Sequence, residues 1–328
     1  MSAAAAEAVI RVEDLRVALR RKRDGSTVRA VNGVSFAVEK GRTLGIVGES
    51  GCGKSTTAMA LVRLLPKNAD VGGAVHFDGR DLAHESPAAL RAIRGRRIGM
   101  IFQDPMVALD PLFTVGDQLA EPLREHLDLD GEELHARQIE LLQAVGISSP
   151  EARLKQYPHQ MSGGMLQRIV GAIAISCNPD LLIADEPTTA LDPTAQAAYL
   201  ELLERLSDTY GLALIVVTHD MGVVSRICDD VMVMYAGQAA EYGPVRAIFD
   251  TPRHPYTQAL LASIPHGVEH GGMLPTIEGQ PPDLTALPPG CPFAPRCPKV
   301  VERCVTEAPP AVELPGGQRA YCWRADEA

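Results

Sequence analysis

Short apolar runs alternate with longer amphipathic ones over the first 250 residues of the chain. Four runs have the length and composition of strands: residues 43–47 (TLGIV), 98–102 (IGMIF), 181–184 (LLIA) and 212–217 (LALIVV). Each run is followed by Gly or polar residues, as is typical of central parallel strands. Strands that interleave with helices in this way predict an α/β fold with a mainly parallel sheet.

Residues 115–176 carry a different pattern. Apolar positions recur at helical spacing in LAEPLREHL, ELHARQIELLQAVGI and GGMLQRIVGAIAI, and no strand-like run lies between them. This periodicity predicts a mostly helical subdomain inserted into the sheet domain.

The composition changes again near residue 251. Nine prolines fall between Pro281 and Pro310, which excludes regular helix over most of that span. We therefore predict a sheet-containing domain at residues 1–250 and a Pro- and Cys-rich extension at residues 251–328. No internal repeat of about 20 to 50 residues is evident, so solenoids and propellers are poor candidates.

Composition and charge narrow the function classes. The 328 residues include 31 Lys and Arg against 41 Asp and Glu, and the net charge of −10 argues against nucleic acid as the main partner. No stretch approaches the roughly 18 consecutive apolar residues of a membrane span. The N-terminal sequence MSAAAAEAVIRVEDL lacks the basic and apolar regions of a signal peptide. We expect the chain to remain in the cytosol.

A glycine-rich loop, GESGCGKS, follows the first predicted strand and precedes the helical run TTAMALVRLL. This is the context that a GxxxxGKS phosphate-binding loop requires, and a Gly-rich turn without a ligand is the alternative. Backbone N–H groups of such a loop surround the β-phosphate, Lys54 supplies a cation to the β- and γ-oxygens, and the Ser55 hydroxyl binds Mg²⁺. The predicted contacts with the nucleotide are Gly48, Glu49, Ser50, Gly51, Cys52, Gly53, Lys54, Ser55 and Thr56.

A second motif, LLIADEP, is an apolar strand that ends in two carboxylates. This arrangement places Asp185 beside Mg²⁺ and Glu186 beside the attacking water. Together with the upstream loop it predicts an NTPase with a P-loop core.

Four further features lie along the chain: Gln103, the SGG triplet at 162–164, the LD pair at 191–192 and His219. Together with the two motifs above, they resemble the nucleotide-binding subunits of ABC transporters across about residues 9–250. The resemblance implies that the cofactors are ATP and Mg²⁺ and that Glu186 is the general base. It implies that Gln103 contacts Mg²⁺ and senses the membrane subunit, and that His219 contacts the γ-phosphate.

The resemblance also implies that the active site is completed by a second subunit. Ser162, Gly163 and Gly164 correspond to the signature motif, which contacts the γ-phosphate of ATP held by the opposite subunit, and Asp192 corresponds to the D-loop aspartate. The signature departs from the usual LSGGQ because it reads MSGGM here. Residues 15–19 (LRVAL) also offer only aliphatic side chains where many family members stack an aromatic ring on adenine.

The extension resembles one group within this family. The sequence RHPYTQALL at 253–261 resembles the HPYT segment that opens the C-terminal extension of oligopeptide, dipeptide and nickel importer ATPases, and Met165 in the signature is similar to the same group. The resemblance implies an ATPase that powers import of dipeptides or oligopeptides, with a nickel or other small-solute importer as the alternative.

Four cysteines, Cys291, Cys297, Cys304 and Cys322, are separated by five, six and seventeen residues. Zinc sites usually have a gap of about two to four residues within a Cys pair, so this spacing fits them poorly. Thiolates in a Pro-rich, irregular segment suit a cuboidal iron–sulfur cluster, and some peptide-importer ATPases that the extension resembles carry a 4Fe–4S cluster. Zinc and unligated thiols remain alternatives.

The implied assembly contains further chains. The resemblance implies a dimer with a second, homologous but different ATP-binding subunit, two transmembrane permease subunits and an extracytoplasmic substrate-binding protein. It places the chain peripherally on the cytoplasmic side of the inner or plasma membrane. Two rival classes are a soluble ABC ATPase that acts on ribosomes or DNA and a catalytically silent regulatory subunit. The intact Glu186 and His219 argue against the silent subunit.

Overall fold

The computed structural model describes residues 8–264 and 276–327. Three segments lie outside the described residues. They are residues 1–7, which belong to the N-terminal sequence considered for a signal peptide, and residues 265–275 and 328 of the extension. The chain divides into two compact units. Unit 1 comprises Met1–Ile10, Val38–Arg42 and His84–Val216, and unit 2 comprises Arg11–Ala37, Thr43–Ala83 and Val217–Ala328. The domain boundary near residue 250 stays a prediction.

The strands are β1 (Ala8–Arg20), β2 (Thr27–Glu39), β3 (Thr43–Val47), β4 (Ala69–Phe77), β5 (Arg80–Asp81), β6 (Ile98–Ile101), β7 (Leu181–Asp185), β8 (Ala213–Thr218), β9 (Asp230–Tyr235), β10 (Gln238–Pro244), β11 (Val312–Glu313) and β12 (Arg319–Ala320). The α-helices are α1 (Lys54–Leu61), α2 (Pro87–Ile93), α3 (Pro105–Ala108), α4 (Val115–Leu127), α5 (Gly131–Ala144), α6 (Pro150–Leu154), α7 (Gly163–Ile175), α8 (Pro193–Tyr210), α9 (Met221–Ile227), α10 (Val245–Asp250), α11 (Pro255–Ala262) and α12 (Glu302–Thr306).

The four predicted apolar runs all form strands. The first coincides with β3, the second and third differ from β6 and β7 by one residue at the C-terminal end, and the fourth is shifted from β8 by one residue at both ends. Every residue of β3, β7 and β8 is buried, as expected of strands covered on both faces. The α/β fold predicted from the sequence is therefore confirmed.

In unit 1, β6 pairs in parallel with β7, and β8 lies on the other side of β7. Residues 115–176 contain helices α4 to α7 and no strand, as predicted. Helix α8 begins at an Asp192 N-cap, whose carboxylate accepts the backbone N–H groups of Thr194 and Ala195 at 3.0 Å. It ends at Tyr210 and is capped by Gly211, which has a left-handed φ of 60°. Asp192 therefore lies at the start of a helix.

In unit 2, β3 pairs in parallel with β9, and β9 pairs with β10 in the antiparallel sense. The two-residue strand β12 of the extension adds to β10 and is itself paired with β11. A second sheet has the strand order β2-β1-β4-β5.

Between residues 281 and 310, all of which the structure describes, the only α-helix is the five-residue α12, in line with the high proline content. Within the described residues, no helix has both the length and the apolarity needed to cross a bilayer.

Candidate functional site

The glycine-rich loop lies in unit 2, between the end of β3 at Val47 and the start of α1 at Lys54. Gly48 and Gly53 are required by the path of the backbone. A Cβ on Gly48 would lie 2.1 Å from the carbonyl oxygen of Met234, and a Cβ on Gly53 would lie 2.2 Å from that of Ala30. The loop therefore adopts its curled path only with glycine at these positions, and it ends at the N-terminus of an eight-residue helix.

Lys54 is folded over this loop rather than extended into solvent. Its side chain is largely buried, with the residue 5% exposed. The ammonium group donates to the carbonyl oxygens of Gly48 at 2.8 Å and Glu49 at 3.1 Å. A cation is thus held inside the curve of the loop, where it can attract phosphate oxygens. The next residues, Ser55 and Thr56, are half-buried in the first turn of α1.

Cys52 contributes the one thiol of the loop. The thiol is buried, and burial raises its pKa above the ordinary value. A protonated, enclosed thiol is a poor nucleophile. Cys52 therefore acts as a small residue that fills the loop.

In unit 1, Gln103 and Glu186 come into direct contact. The side-chain amide of Gln103 donates to Glu186 Oε2 at 3.0 Å, and the Thr189 hydroxyl donates to the same oxygen at 3.0 Å. Glu186 itself has a left-handed φ of 45° directly after β7. Two donors on one oxygen fix the orientation of the carboxylate, as a general base requires. Asp185, the last residue of β7, is buried.

The signature residues form the exposed start of α7. Ser162 is the N-cap, and its hydroxyl accepts the N–H of Met165 at 3.4 Å. A Cβ added at Gly163 or Gly164 would have no neighbouring atom within 4 Å, so the first turn of the helix faces open space. The open space at Gly163 and Gly164 leaves room for an anion from another molecule to approach the helix N-terminus.

The remaining sequence-predicted residues lie at the ends of strands and helices. His219 is exposed and lies between β8 and α9 in unit 2. Asp192 is exposed in unit 1, where it caps α8. Their roles at the nucleotide stay predictions.

The four cysteines of the extension converge in space. Cys291, Cys297, Cys304 and Cys322 are free thiols and line one cavity, together with Lys299 and Arg324 among others. Burial raises the pKa of Cys291 to about 11. Within the part of the chain that the structure describes, no group of three or more His, Cys, Asp or Glu side chains is arranged to hold a metal ion.

The extension also supplies contacts that sequence analysis missed. The N–H of Glu49, in the glycine-rich loop, donates to the Tyr256 hydroxyl at 2.9 Å. The Glu49 carboxylate forms an ion pair with Arg296 at 2.7 Å. Tyr256 belongs to the HPYT segment, whose sequence resembles one group of the family but did not indicate a contact with the loop. No sequence motif pointed to Arg296.

Comparison with known proteins gives two family matches. Residues 31–189 match the ABC transporter family, and residues 240–304 match the C-terminal region of oligopeptide/dipeptide transporters. The second match includes the HPYT segment and three of the four clustered cysteines.

Characterised relatives are similar over almost the whole chain. The dipeptide transport ATP-binding protein DppD of Bacillus subtilis is 48% identical over 323 residues, which cover 98% of this chain and 96% of that protein. The oligopeptide transport ATP-binding protein OppD of Escherichia coli is 46% identical over 322 residues, with coverage of 98% and 95%.

Solved structures agree with the fold. The dimeric post-hydrolysis structure of the ATP-binding cassette MJ0796, bound to ADP and Pi, has a TM-score of 0.64 and 27% identity, and covers 72% of this chain and 99% of that one. The structure of cbiO1 from Clostridium perfringens has a TM-score of 0.62 and 27% identity, with coverage of 75% and 92%. The chain therefore belongs to the ABC transporter family of ATPases, in the group that carries the oligopeptide/dipeptide transporter C-terminal region.

Proposed function

We propose that this chain binds and hydrolyses ATP to power the import of dipeptides or oligopeptides through a separate permease pair. The observation that carries the proposal is the joint presence of the phosphate-binding loop and the oligopeptide/dipeptide C-terminal region in one chain. The relatives reported above are named as dipeptide and oligopeptide transport ATP-binding proteins. The nickel alternative gains no support from them.

The local geometry supports the proposed roles of Lys54 and Glu186 at the nucleotide. Lys54, held over the loop, pairs with the β- and γ-phosphate oxygens. Glu186, oriented by Gln103 and Thr189, takes the proton of the attacking water. The proposed Mg²⁺ ligands are Ser55, Asp185 and Gln103, whose oxygen atoms suit this hard cation. Bound Mg²⁺ would neutralise charge that develops on the phosphate oxygens.

The open signature helix supports a dimeric working state. The first turn of α7 faces open space at Gly163 and Gly164, so its N–H groups are available to the ATP of a second subunit. The related cassette MJ0796 has been solved as a dimer. We propose that the partner here is a homologous but different ATP-binding chain, and a second copy of this chain is the alternative.

An exposed apolar patch supports contact with a membrane subunit. It flanks and follows Gln103 in the chain and consists of Phe102, Met106, Val107, Leu112 and Phe113, which are 41% to 82% exposed. Clusters of exposed apolar side chains are typical of interaction sites. We propose that this patch meets the permease at the cytoplasmic face of the membrane. The substrate-binding protein would act on the opposite face.

The direct test of the proposed function is transport by the assembled complex. The chain is combined with its permease pair, its partner ATPase and the binding protein in proteoliposomes. ATP-dependent uptake of a labelled dipeptide or tetrapeptide is the expected result. Uptake of nickel without uptake of either peptide would replace the peptide assignment with the nickel alternative.

We further propose that the four cysteines hold a 4Fe–4S cluster with a structural role. All four donors are soft thiols that line one cavity, which fits a cluster or zinc. The gaps of five, six and seventeen residues between these cysteines fit a zinc site poorly, because the Cys pairs of zinc sites usually have gaps of about two to four residues. A cluster distributes its ligands over several irons and, when bound, would cross-link the irregular extension.

Replacement of Cys304 by Ser is expected to remove the metal and loosen the extension. Iron and acid-labile sulfide are measured on anaerobically purified protein, together with visible absorbance. About four irons per chain are expected in the parent protein and a marked loss in Cys304→Ser, while ATP binding persists. Cys177→Ser is the matched control, because this buried cysteine lies in unit 1. Equal iron content in Cys304→Ser and the parent would contradict the ligand assignment.

A further inference from the structure

Glu49 places a negative charge in a loop whose proposed ligand is a polyphosphate. It directly follows Gly48 in GESGCGKS, and its side chain is 26% exposed. Two like charges a few ångströms apart repel each other at the effective dielectric near a protein surface. An uncompensated carboxylate at this position would therefore oppose phosphate binding.

Arg296 of the extension compensates this charge. Its guanidinium meets the Glu49 carboxylate as a fork, with Nη1 to Oε2 at 2.7 Å and Nη2 to Oε1 at 3.0 Å. The Arg296 side chain is only 4% exposed. Bidentate pairs of this kind fix orientation as well as charge.

The other donors of Arg296 hold it against the protein. Nε donates to the carbonyl oxygen of Glu278 at 2.9 Å, Nη2 to that of Ile277 at 3.1 Å, and Nη1 to the Tyr235 hydroxyl at 3.2 Å. A guanidinium with this many fixed partners does not follow a moving carboxylate. Arg296 therefore fixes the position of Glu49, and Glu49 does not fix the position of Arg296.

The backbone of the loop is held by a second residue of the extension. Tyr256 is fully buried, and its hydroxyl accepts the N–H of Glu49 at 2.9 Å. Its ring packs on those of Tyr235 and Phe293, with centroid distances of 4.6 Å and 5.4 Å. These rings share a hydrophobic cluster with Val47, the last residue of β3. The extension thus contacts both the strand that leads into the loop and the first peptide of the loop.

We infer that Arg296 and Tyr256 are positioning residues for ATP binding: Arg296 cancels the charge of Glu49, and both residues hold the start of the phosphate loop in place. The extension thereby sets the ATP affinity of the loop. This inference rests on the proposed role of the loop in binding ATP. A purely structural role, in which Arg296 only fastens the extension, makes different predictions for affinity and for its salt dependence.

The test is a double-mutant cycle in the full-length chain, with Mg²⁺-ATP affinity measured by calorimetry and unfolding measured in parallel. Arg296→Met is expected to weaken ATP binding roughly tenfold or more, because Glu49 is then uncompensated. Glu49→Gln is expected to bind ATP severalfold more tightly, because the positive charge of Arg296 then faces the phosphates. The double variant Glu49→Gln/Arg296→Met is expected to recover most of the affinity lost in Arg296→Met.

Salt dependence separates charge compensation from a structural role. The affinity deficit of Arg296→Met relative to the parent should shrink as ionic strength rises, since salt screens the repulsion between carboxylate and phosphate. Arg303→Met is the matched control, because this arginine of the same extension is 56% exposed and pairs with Glu307 outside the loop. It should retain the parent affinity.

Several outcomes would overturn the inference. Parent-like affinity in Arg296→Met would do so, and so would a double variant that binds ATP no better than Arg296→Met. If Arg296→Met does not fold, Glu49→Gln decides alone, and weaker binding than the parent would refute charge compensation. A parent chain that binds no ATP would instead refute the proposed function, so the two failures are distinguishable.

Discussion

Replacement of Glu186 by Gln is expected to slow ATP hydrolysis at least tenfold while ATP binding persists. The amide keeps the shape of the side chain but cannot accept a proton from water, and general bases contribute about 10²- to 10⁴-fold to such reactions. Gln103 and Thr189 both donate to Glu186 Oε2, so the orientation of the carboxylate is already set in the chain. Turnover is measured in the assembled transporter, and ATP affinity in the isolated chain.

Two further variants sharpen the result for Glu186. Thr189→Val removes one of the two donors but leaves the base, so its turnover should fall less than that of Glu186→Gln. Glu186→Gln should also accumulate the ATP-bound dimer, whose composition is read by light scattering. A dimer that forms from the Glu186→Gln chain alone would replace the proposed heterodimer by a homodimer. Unchanged turnover would contradict the assignment of Glu186 as the general base.

Replacement of Lys54 by Ala is expected to weaken ATP binding by roughly 10- to 100-fold. The change removes the cation held over the loop, and a hydrogen bond to a charged group contributes about 1.5–3 kcal/mol. Affinity is measured by titration with Mg²⁺-ATP. Lys40→Ala, at an exposed lysine, controls for the change in net charge.

The folding of the Lys54 variant needs its own measurement. Lys54 donates to the carbonyl oxygens of Gly48 and Glu49, so its removal leaves both without this partner. Denaturant unfolding therefore accompanies the titration. A folded Lys54→Ala chain with parent-like ATP affinity would contradict the assignment of the loop to phosphate binding.

Local sequence patterns predicted many of the strands and helices, because the residues that determine each of these elements are neighbours in the chain. The buried strands β3, β7 and β8 are continuous apolar runs, and α4, α5 and α7 show helical spacing. Strand β1 was missed, since its alternation is broken. Ile10, Val12, Leu15 and Val17 are buried, and the spacing changes from two to three residues at Asp14, which has a left-handed φ of 47°.

The candidate site was predictable to the extent that each motif is contiguous. The loop at 48–55 could be read with its flanking strand and helix. The contact of Gln103 with Glu186 joins residues 83 positions apart, and only the family resemblance pointed to both. The contact of Arg296 with Glu49 spans 247 positions and starts from a Pro-rich segment without periodicity. No pattern of period 2 or 3.6 encodes such a pair.

The pairing of Arg296 with Glu49 also bears on how the chain can be recombined with its relatives. The two residues lie in different matched regions, one in the ABC transporter region at 31–189 and the other in the C-terminal region at 240–304. A chimera that takes its C-terminal region from a relative with a neutral residue at position 296 would inherit an acidic loop without its counter-charge. Transplanting residues 49 and 296 together would restore the match, so this pair sets a compatibility rule for exchanging the two regions.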